Sequence, residues 1–348
     1  MRPVLVVIVI LLGLGGAWYW HGHRKAAQAD SAADALRGDP ATGEAGTATA
    51  AAGTTATGGD ATGGLTASAP AETPAAEAPA AVKGLLAQAD ALWDKDHGDV
   101  TAPDAPQIAL LYSQVLQGLY NQPGQHARES QLVETRLTPL GQALFFTRTR
   151  YNDDPTGTFA SHVTSPGESP DAIARHYGMS QQFLNRLRGH TANDGNLNIG
   201  DALKVVNVRD KGGFLLHISK SDFILDCYVG GIFAKRYAIS QGSKSTPTPV
   251  GKAHVVVREW HPDWTSPTTH QVLHYGDPGH ILGPMWLALN AQELGQEGIG
   301  IHGYTGENTA TGQLASNGCV RLPNDDAIQL YETLSAPDRA PTLVEIVE

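Results

Sequence analysis

The sequence predicts a multidomain chain that ends in a mostly-β domain, of sandwich or barrel type with one short helix. Three observations carry this. An apolar N-terminal run gives way to a long stretch of small residues; helical spacing dominates residues 83–150; and beyond residue 212 short strand-like runs alternate with glycine and proline turns. The 348 residues suffice for two or more hydrophobic cores. A formal charge of -11, from 24 Lys and Arg against 35 Asp and Glu, argues against the basic surface that phosphate backbones require, so no nucleic-acid partner is expected. Two cysteines, Cys227 and Cys319, cannot build a disulfide framework or a four-cysteine zinc site.

Residues 4–20 are uninterruptedly apolar and would span about 26 Å as a helix, close to the thickness of a bilayer core. Trp18, Tyr19 and Trp20 suit the membrane-water boundary. Residues 1–25 are therefore expected to be a membrane anchor or signal. Ala27-Gln28-Ala29 has the small-x-small form of a cleavage site, but Arg24 and Lys25 separate it from the apolar run, which favours an uncleaved anchor. In residues 26–82, 39 of 57 positions are Ala, Gly or Thr, which leaves almost nothing to bury and predicts a disordered linker.

Residues 83–150 carry apolar positions at helical spacing: Leu85, Leu86, Ala89, Leu92 and Trp93, then Ile108, Leu111, Val115, Leu116 and Leu119. Pro106 suits the start of a second helix, Asn121-Gln122-Pro123-Gly124 ends it, and a third is expected over residues 132–146 with Pro139 near its start. A small helical spacer is the reading, with a tetratricopeptide-like hairpin as the alternative and recruitment of a protein partner as a further task.

Residues 159–208 read as β-α-α-β. Alternation over residues 159–163 gives a strand, Ser169-Pro170 a cap and first-turn proline, Gly178 a stop, Ser180 a second cap, and residues 203–206 the closing strand. Pro166-Gly167-Glu168-Ser169, Ile173-Ala174 with Tyr177-Gly178, and Gly200 with Leu203-Lys204-Val205 match the LysM family in order, and this segment resembles it. The resemblance implies binding of N-acetylglucosamine-containing glycan strands between loops 165–169 and 195–200. Its glycan-binding candidates are Pro166, Gly167, Glu168, Ser169, Asn198 and Gly200. Each of them also has a structural explanation as a turn or cap.

From residue 212 onward, strand-like runs fall at 214–218, 223–229, 236–239, 253–257, 300–302 and 343–347, with one clear helix from Asn324, its expected cap. Mostly antiparallel architecture is expected. Cys227 sits in a strand pattern and reads as a packing residue, and both thiols are expected free. Cys319, between Gly318 and Val320 in a glycine-containing loop, can be approached by a substrate backbone, and His302 could take its proton, giving a nucleophile and a general base. Pairing with an imidazolium, or exposure to backbone N–H groups, is what would make such a thiol reactive near neutrality. No histidine spacing suits a metal, and no cofactor is expected.

Ile239-Ser240-Gln241-Gly242, Thr246-Pro247-Thr248-Pro249-Val250-Gly251, His302-Gly303 and Ser316-Asn317-Gly318-Cys319-Val320-Arg321 occur in the order of the YkuD-type L,D-transpeptidases, which residues 212–348 resemble. The resemblance implies a YkuD-like catalytic domain in which Cys319 attacks the carbonyl before a terminal D-alanine of a peptidoglycan stem peptide, with His302 as base. The thioester would pass to the amine of a second stem. Gly318 and Cys319 N–H groups are the oxyanion candidates. Arg321 would orient the loop or a stem carboxylate, Ser316 would fix the His302 tautomer through its carbonyl, and Gly303, Tyr304 and Asn317 would meet substrate. Trp260, Trp264 and Trp286 could line the groove but read more readily as core. Asn317 departs from the family, which carries His there. Resolution by water (L,D-carboxypeptidase action), attachment of a protein to the wall, and a non-catalytic wall-binding scaffold are the alternatives. An inner-membrane anchor with the catalytic domain in the periplasm completes the expectation.

Overall fold

The computed structural model describes residues 77–266, 269–306 and 310–348. The expected anchor of residues 1–25 and the linker as far as residue 76 lie outside the described residues. Among the described residues, no helix is long and apolar enough to cross a membrane.

Helices α1 (Ala80–Lys95) and α2 (Ala105–Leu119) pack against each other as a hairpin. The α2 helix opens with Pro106, whose missing N–H costs nothing in a first turn, and ends where Asn121 adopts a positive φ of 60°. The third helical stretch begins before the expected residue 132. It runs as α3 (His126–Leu132), a π-helical turn (Val133–Leu137) and α4 (Thr138–Phe145). Pro139 removes one ladder hydrogen bond, and the wider turn lies immediately before it.

A β-α-α-β unit follows: β1 (Phe159–Val163), α5 (Pro170–Tyr177), α6 (Gln181–Arg188) and β2 (Ala202–Val206). Its strands pair antiparallel from Phe159 opposite Val206 to Val163 opposite Ala202. The Ser169 and Ser180 side chains accept the N–H groups of Ala172 and Phe183, and Gly178 ends α5 in the left-handed conformation. These caps satisfy N–H groups that a short helix would otherwise leave open.

The remaining strands are β3 (Phe214–Ser219), β4 (Ile224–Val229), β5 (Ile232–Ala238), β6 (Gln241–Gly242), β7 (Gly251–Trp260), β8 (Trp264–Thr265), β9 (Val272–Leu273), β10 (Leu282–Leu289), β11 (Gly300–Tyr304), β12 (Leu314–Ser316), β13 (Val320–Arg321) and β14 (Thr342–Val347), with helices α7 (Ala291–Leu294) and α8 (Asn324–Thr333). Eight of them form one sheet in the order β13-β11-β10-β7-β14-β3-β4-β5. Five of its seven pairings are antiparallel; β11 with β13 and β14 with β3 are parallel. A bridge between Ser240, just past β5, and Arg321 of β13 joins the two ends of the sheet, which therefore curls towards closure.

Strand β10 lies between β7 and β11 and has no counterpart among the strands expected from sequence. Gly283-Pro284 reads as a break, because proline cannot donate to a ladder. Here the register shifts between Leu282 and Trp286 on the β11 side, so proline sits at the irregularity, and its carbonyl accepts the His261 N–H at 2.8 Å. A Cβ on Gly283 would lie 2.4 Å from Asn324 Oδ1, so no larger residue fits. Helix α7 was likewise not expected; Asn290 caps it by accepting from Gln292 and Glu293.

The helices of residues 80–145 pack onto β5, the edge of the large sheet. Ser113 Oγ of α2 accepts the Phe233 N–H at 2.8 Å, and Gly141 of α4 lies so close to the Ala234 carbonyl that a Cβ would come within 2.3 Å. The β-α-α-β unit meets both the helices, where Lys204 Nζ donates to the Thr147 carbonyl at 3.2 Å, and the C-terminal domain. Arg186 pairs with Glu332 at 2.6 Å, Ser180 Oγ donates to the Glu332 carbonyl, and Arg339 reaches Asp171 at 2.6 Å. All described residues belong to one compact unit with a continuous core.

Candidate active site

Parallel pairing of β11 with β13 sets Ile301 opposite Val320 and His302 opposite Arg321. Cys319 immediately precedes β13 and so falls opposite Gly300. Because side chains alternate along a strand, Cys319, Arg321 and His302 share one face. Strand spacing and rise put the Cys319 and His302 Cα atoms about 8 Å apart, within mutual reach of a thiol and an imidazole. The Gly300 N–H points at the Cys319 sulfur, and Sγ lies 3.4 Å from the Gly298 carbonyl oxygen.

The loop that carries Cys319 is held from below by the residues 240–248. Ser243 N–H donates to the Ser316 carbonyl at 2.8 Å, Thr246 Oγ1 donates to the same oxygen at 3.2 Å, and Thr248 Oγ1 donates to the Gly318 carbonyl at 2.8 Å. Thr248 in turn accepts the Gly242 N–H. Gly318 has φ of 113°, which favours glycine, and a Cβ there would lie 2.7 Å from the tip of the Ile299 side chain, which would have to turn aside.

His302 is 3% exposed and its Nδ1 hydrogen-bonds the Gly303 carbonyl, which makes Nδ1 the protonated nitrogen and leaves Nε2 as the basic one. Burial pushes His302 down to about 4, the Gly303 carbonyl opposes this, and the Arg321 guanidinium adds to it. Burial also raises the Cys319 thiol, against the Gly300 N–H and Arg321. Near neutrality the pair is therefore a thiol beside a neutral imidazole; of the two expected routes to a reactive thiol, the imidazolium pairing is not found, whereas the Gly300 N–H supplies the other. Proton transfer belongs to the reaction rather than to the resting state.

Three further sequence expectations are corrected. Ser316 does not fix the His302 tautomer: its carbonyl is occupied by Ser243 and Thr246, and the Gly303 carbonyl does that work. Ser316 Oγ instead donates to the Cys319 carbonyl at 2.6 Å and accepts the Gly318 N–H at 3.2 Å, bracing the loop. Of the two oxyanion candidates, Gly318 N–H is thereby engaged, whereas Cys319 N–H has no acceptor among the described residues. Asn324 does not cap α8 with its side chain. Its Oδ1 accepts the Tyr304 N–H at 2.9 Å, and a Cβ on Gly303 would meet that same oxygen.

Arg321 lies 3.9 Å above the Tyr304 ring and donates to the Ala315 carbonyl at 3.1 Å. Asn317 is exposed at the loop surface. Trp286, read from sequence as core rather than groove, lies against the site. Paired opposite His302 across β10 and β11, its ring tilts against the imidazole at 5.6 Å and covers the place a Cβ on Gly300 would occupy. No local pattern marks it, since the contact arises from strand register. Cys227 is buried in β4, its thiol pushed up to about 12 by burial, and both cysteines are free.

In the β-α-α-β unit the structure brings the two candidate loops together. Thr164 N–H donates to the Asp201 carbonyl, its carbonyl accepts the Gly200 N–H at 2.9 Å, and its hydroxyl donates to the Asn198 carbonyl. Glu168 binds the Ser165 N–H at 2.7 Å and His162 Nε2 at 3.0 Å, and the His162 bond first of all lowers its carboxyl. Ser169 caps α5, Asn198 Nδ2 donates to Asp201, and Gly167 and Gly200 take positive φ. Pro166 lies between the braced ends of its loop. Ile199, 71% exposed, and Val163 stand on this surface. Among the described residues no group of three His, Cys, Asp or Glu could hold a metal.

Comparison with known proteins places this geometry in context. Residues 213–346 match the YkuD family, described as the L,D-transpeptidase catalytic domain. YqjB of Bacillus subtilis (strain 168) is 29% identical over 140 residues, covering 40% of this chain and 70% of that protein. YkuD of Bacillus licheniformis is 27% identical over 172 residues, covering 49% of this chain and 90% of its own length. Both bear the provisional name of L,D-transpeptidase. An L,D-transpeptidase crystal structure from Mycobacterium tuberculosis H37Rv aligns at 18% identity with a TM-score of 0.31, covering 39% of this chain and 57% of that one.

Proposed function

We propose that the chain is a peptidoglycan L,D-transpeptidase that works through a Cys319 thioester. The observation that carries this is the β11-β13 pairing, which sets Cys319 and His302 on one face within a segment matching the L,D-transpeptidase catalytic domain. His302 Nε2 takes the thiol proton as sulfur adds to the stem carbonyl, and Cys319 N–H receives the developing oxyanion. Collapse returns that proton to the departing D-alanine nitrogen and leaves the acyl-thioester. An amine of a second stem then adds, giving its proton to His302, and the crosslink forms as sulfur leaves and is reprotonated. Water in place of the amine yields carboxypeptidase action, and a protein amine yields attachment to the wall.

The β-α-α-β unit is proposed to grip glycan strands along the surface formed by its two joined loops, which raises the concentration of stems around Cys319. Residues 1–25 are proposed to anchor the chain in the inner membrane, with the linker carrying the rest into the periplasm. Purified full-length protein incubated with tetrapeptide-bearing muropeptides is expected to release D-alanine. Cys319→Ala and His302→Ala should each lower the rate by about 10³-fold or more while circular dichroism stays unchanged. Binding of muropeptides without any release would replace this reading with a non-catalytic scaffold.

A further inference from the structure

A cavity of about 200 Å³ lies far from this chemistry, between the α2-α3 corner and the turn joining β3 to β4. Tyr120, Glu129, His217, Ser219 and Asp222 line it, with His126 at its rim. Glu129, on α3, is only 8% exposed, and its carboxylate makes no hydrogen bond and no ion pair with any described residue. The guanidinium whose charge acts on it, Arg236, is committed to the fully buried Asp226 through two bonds of 2.7 Å. Asp226 also accepts the Tyr120 hydroxyl.

Charge around the cavity does not balance. Glu129, Asp222 and Asp226 are three carboxylates against the Arg236 guanidinium, Glu348 in the cavity wall is paired with Lys220 at 2.8 Å, and the exposed His126 stands 3.4 Å from Asp222. His217 does not supply the missing charge. It is stacked on Tyr120 at 3.7 Å, its Nδ1 lies 3.8 Å from Glu345 without a hydrogen bond, and burial lowers its affinity for a proton against the pull of Asp226 and Glu345. Burial raises Glu129 to about 7, and Asp222 and Asp226 push it the same way against Arg236. The Glu129 carboxylate opens onto the cavity without a protein partner, so a donor bound there would stabilise its charged form. The volume corresponds to about six waters, enough for a ligand of a few heavy atoms.

We propose that this cavity is a binding site for a small primary ammonium compound, whose N–H groups donate to Glu129 while Asp222 faces its charge. A bound cation neutralises the excess of carboxylates, and its alkyl part lies along the stacked Tyr120 and His217 rings. The site joins α3 to the large sheet, so occupancy also fastens the helices to β3 and β4. This proposal is independent of the chemistry at Cys319.

The test uses the full-length protein at pH 8 with ethanolamine as the probe, choline as a cation without N–H donors on nitrogen, and magnesium chloride as an inorganic cation. Saturable binding of ethanolamine by calorimetry, with a rise in melting temperature of about 2–4 °C near ten times the dissociation constant, is expected. Choline should bind at least tenfold more weakly. Glu129→Gln, which keeps size and shape, should abolish the ethanolamine shift while D-alanine release remains as in the unmodified protein. Absence of saturable ethanolamine binding, equal binding by Glu129→Gln, or saturation by magnesium in place of the amine would each overturn the proposal.

Discussion

His302 sets the acid side of the proposed reaction. A base works only while unprotonated, and burial holds its affinity at about 4, so the competent form dominates above that pH and is lost below it. The kcat/KM for D-alanine release is expected to rise through pH 4 and stay level through 6.5, where an exposed imidazole would titrate. A limb at 6.5 would contradict the buried position. Gly318→Ala tests the nucleophile's loop: the 113° φ and the 2.7 Å approach to Ile299 should together cost about 1–3 kcal/mol and displace Cys319, seen as loss of carbapenem acylation by intact mass. Cys319 and His302 were legible in the sequence because the residues around them are themselves constrained by the loop and strand they occupy. The tautomer partner was not legible. Nothing in the order of letters says whether a carbonyl at Gly303 or at Ser316 faces the ring, and the Ser243 and Thr246 bonds that decide it come from far along the chain.

Among the elements, those with a local cause were readable. Ser169, Ser180 and Gly178 each act through neighbours within a few residues, and helices α5 and α6 follow from them. Strand β10 was not readable, because its Gly283-Pro284 step makes sense only beside Asn324 and the shifted register with β11. The edge strand β5 was read only over its second half, at 236–239, and its cover, a helix more than a hundred residues earlier, was not readable. Ser113→Ala would leave the buried Phe233 N–H without its acceptor, at a cost of about 1–3 kcal/mol in denaturant unfolding, with kcat for D-alanine release unchanged. An unchanged unfolding midpoint would mean that the helices contribute nothing to closing this edge.

For the whole molecule, composition distinguished regions but not their mutual packing. A reading from the N-terminus suggests beads on a string, whereas Arg186-Glu332 and Arg339-Asp171 tie the β-α-α-β unit to the C-terminal domain. Nuclear relaxation should give one rotational correlation time for residues 159–206 and 214–347. The double variant Glu332→Ala, Arg339→Ala should lower the thermal midpoint but keep the single correlation time, because the shared core and the Lys204 bonds to the Ala143 and Thr147 carbonyls remain. Two times in the unmodified protein would show that these contacts do not hold the units together.

The helix laid along β5 also bears on how the gene would be cut for laboratory work. A fragment starting at residue 150 leaves Phe233 and its neighbours with unpaired backbone groups and a bare greasy flank, an invitation to stack with other copies into precipitate. A truncation that stays in solution would have to begin ahead of Ala80, so this protein's smallest workable piece is larger than its family match.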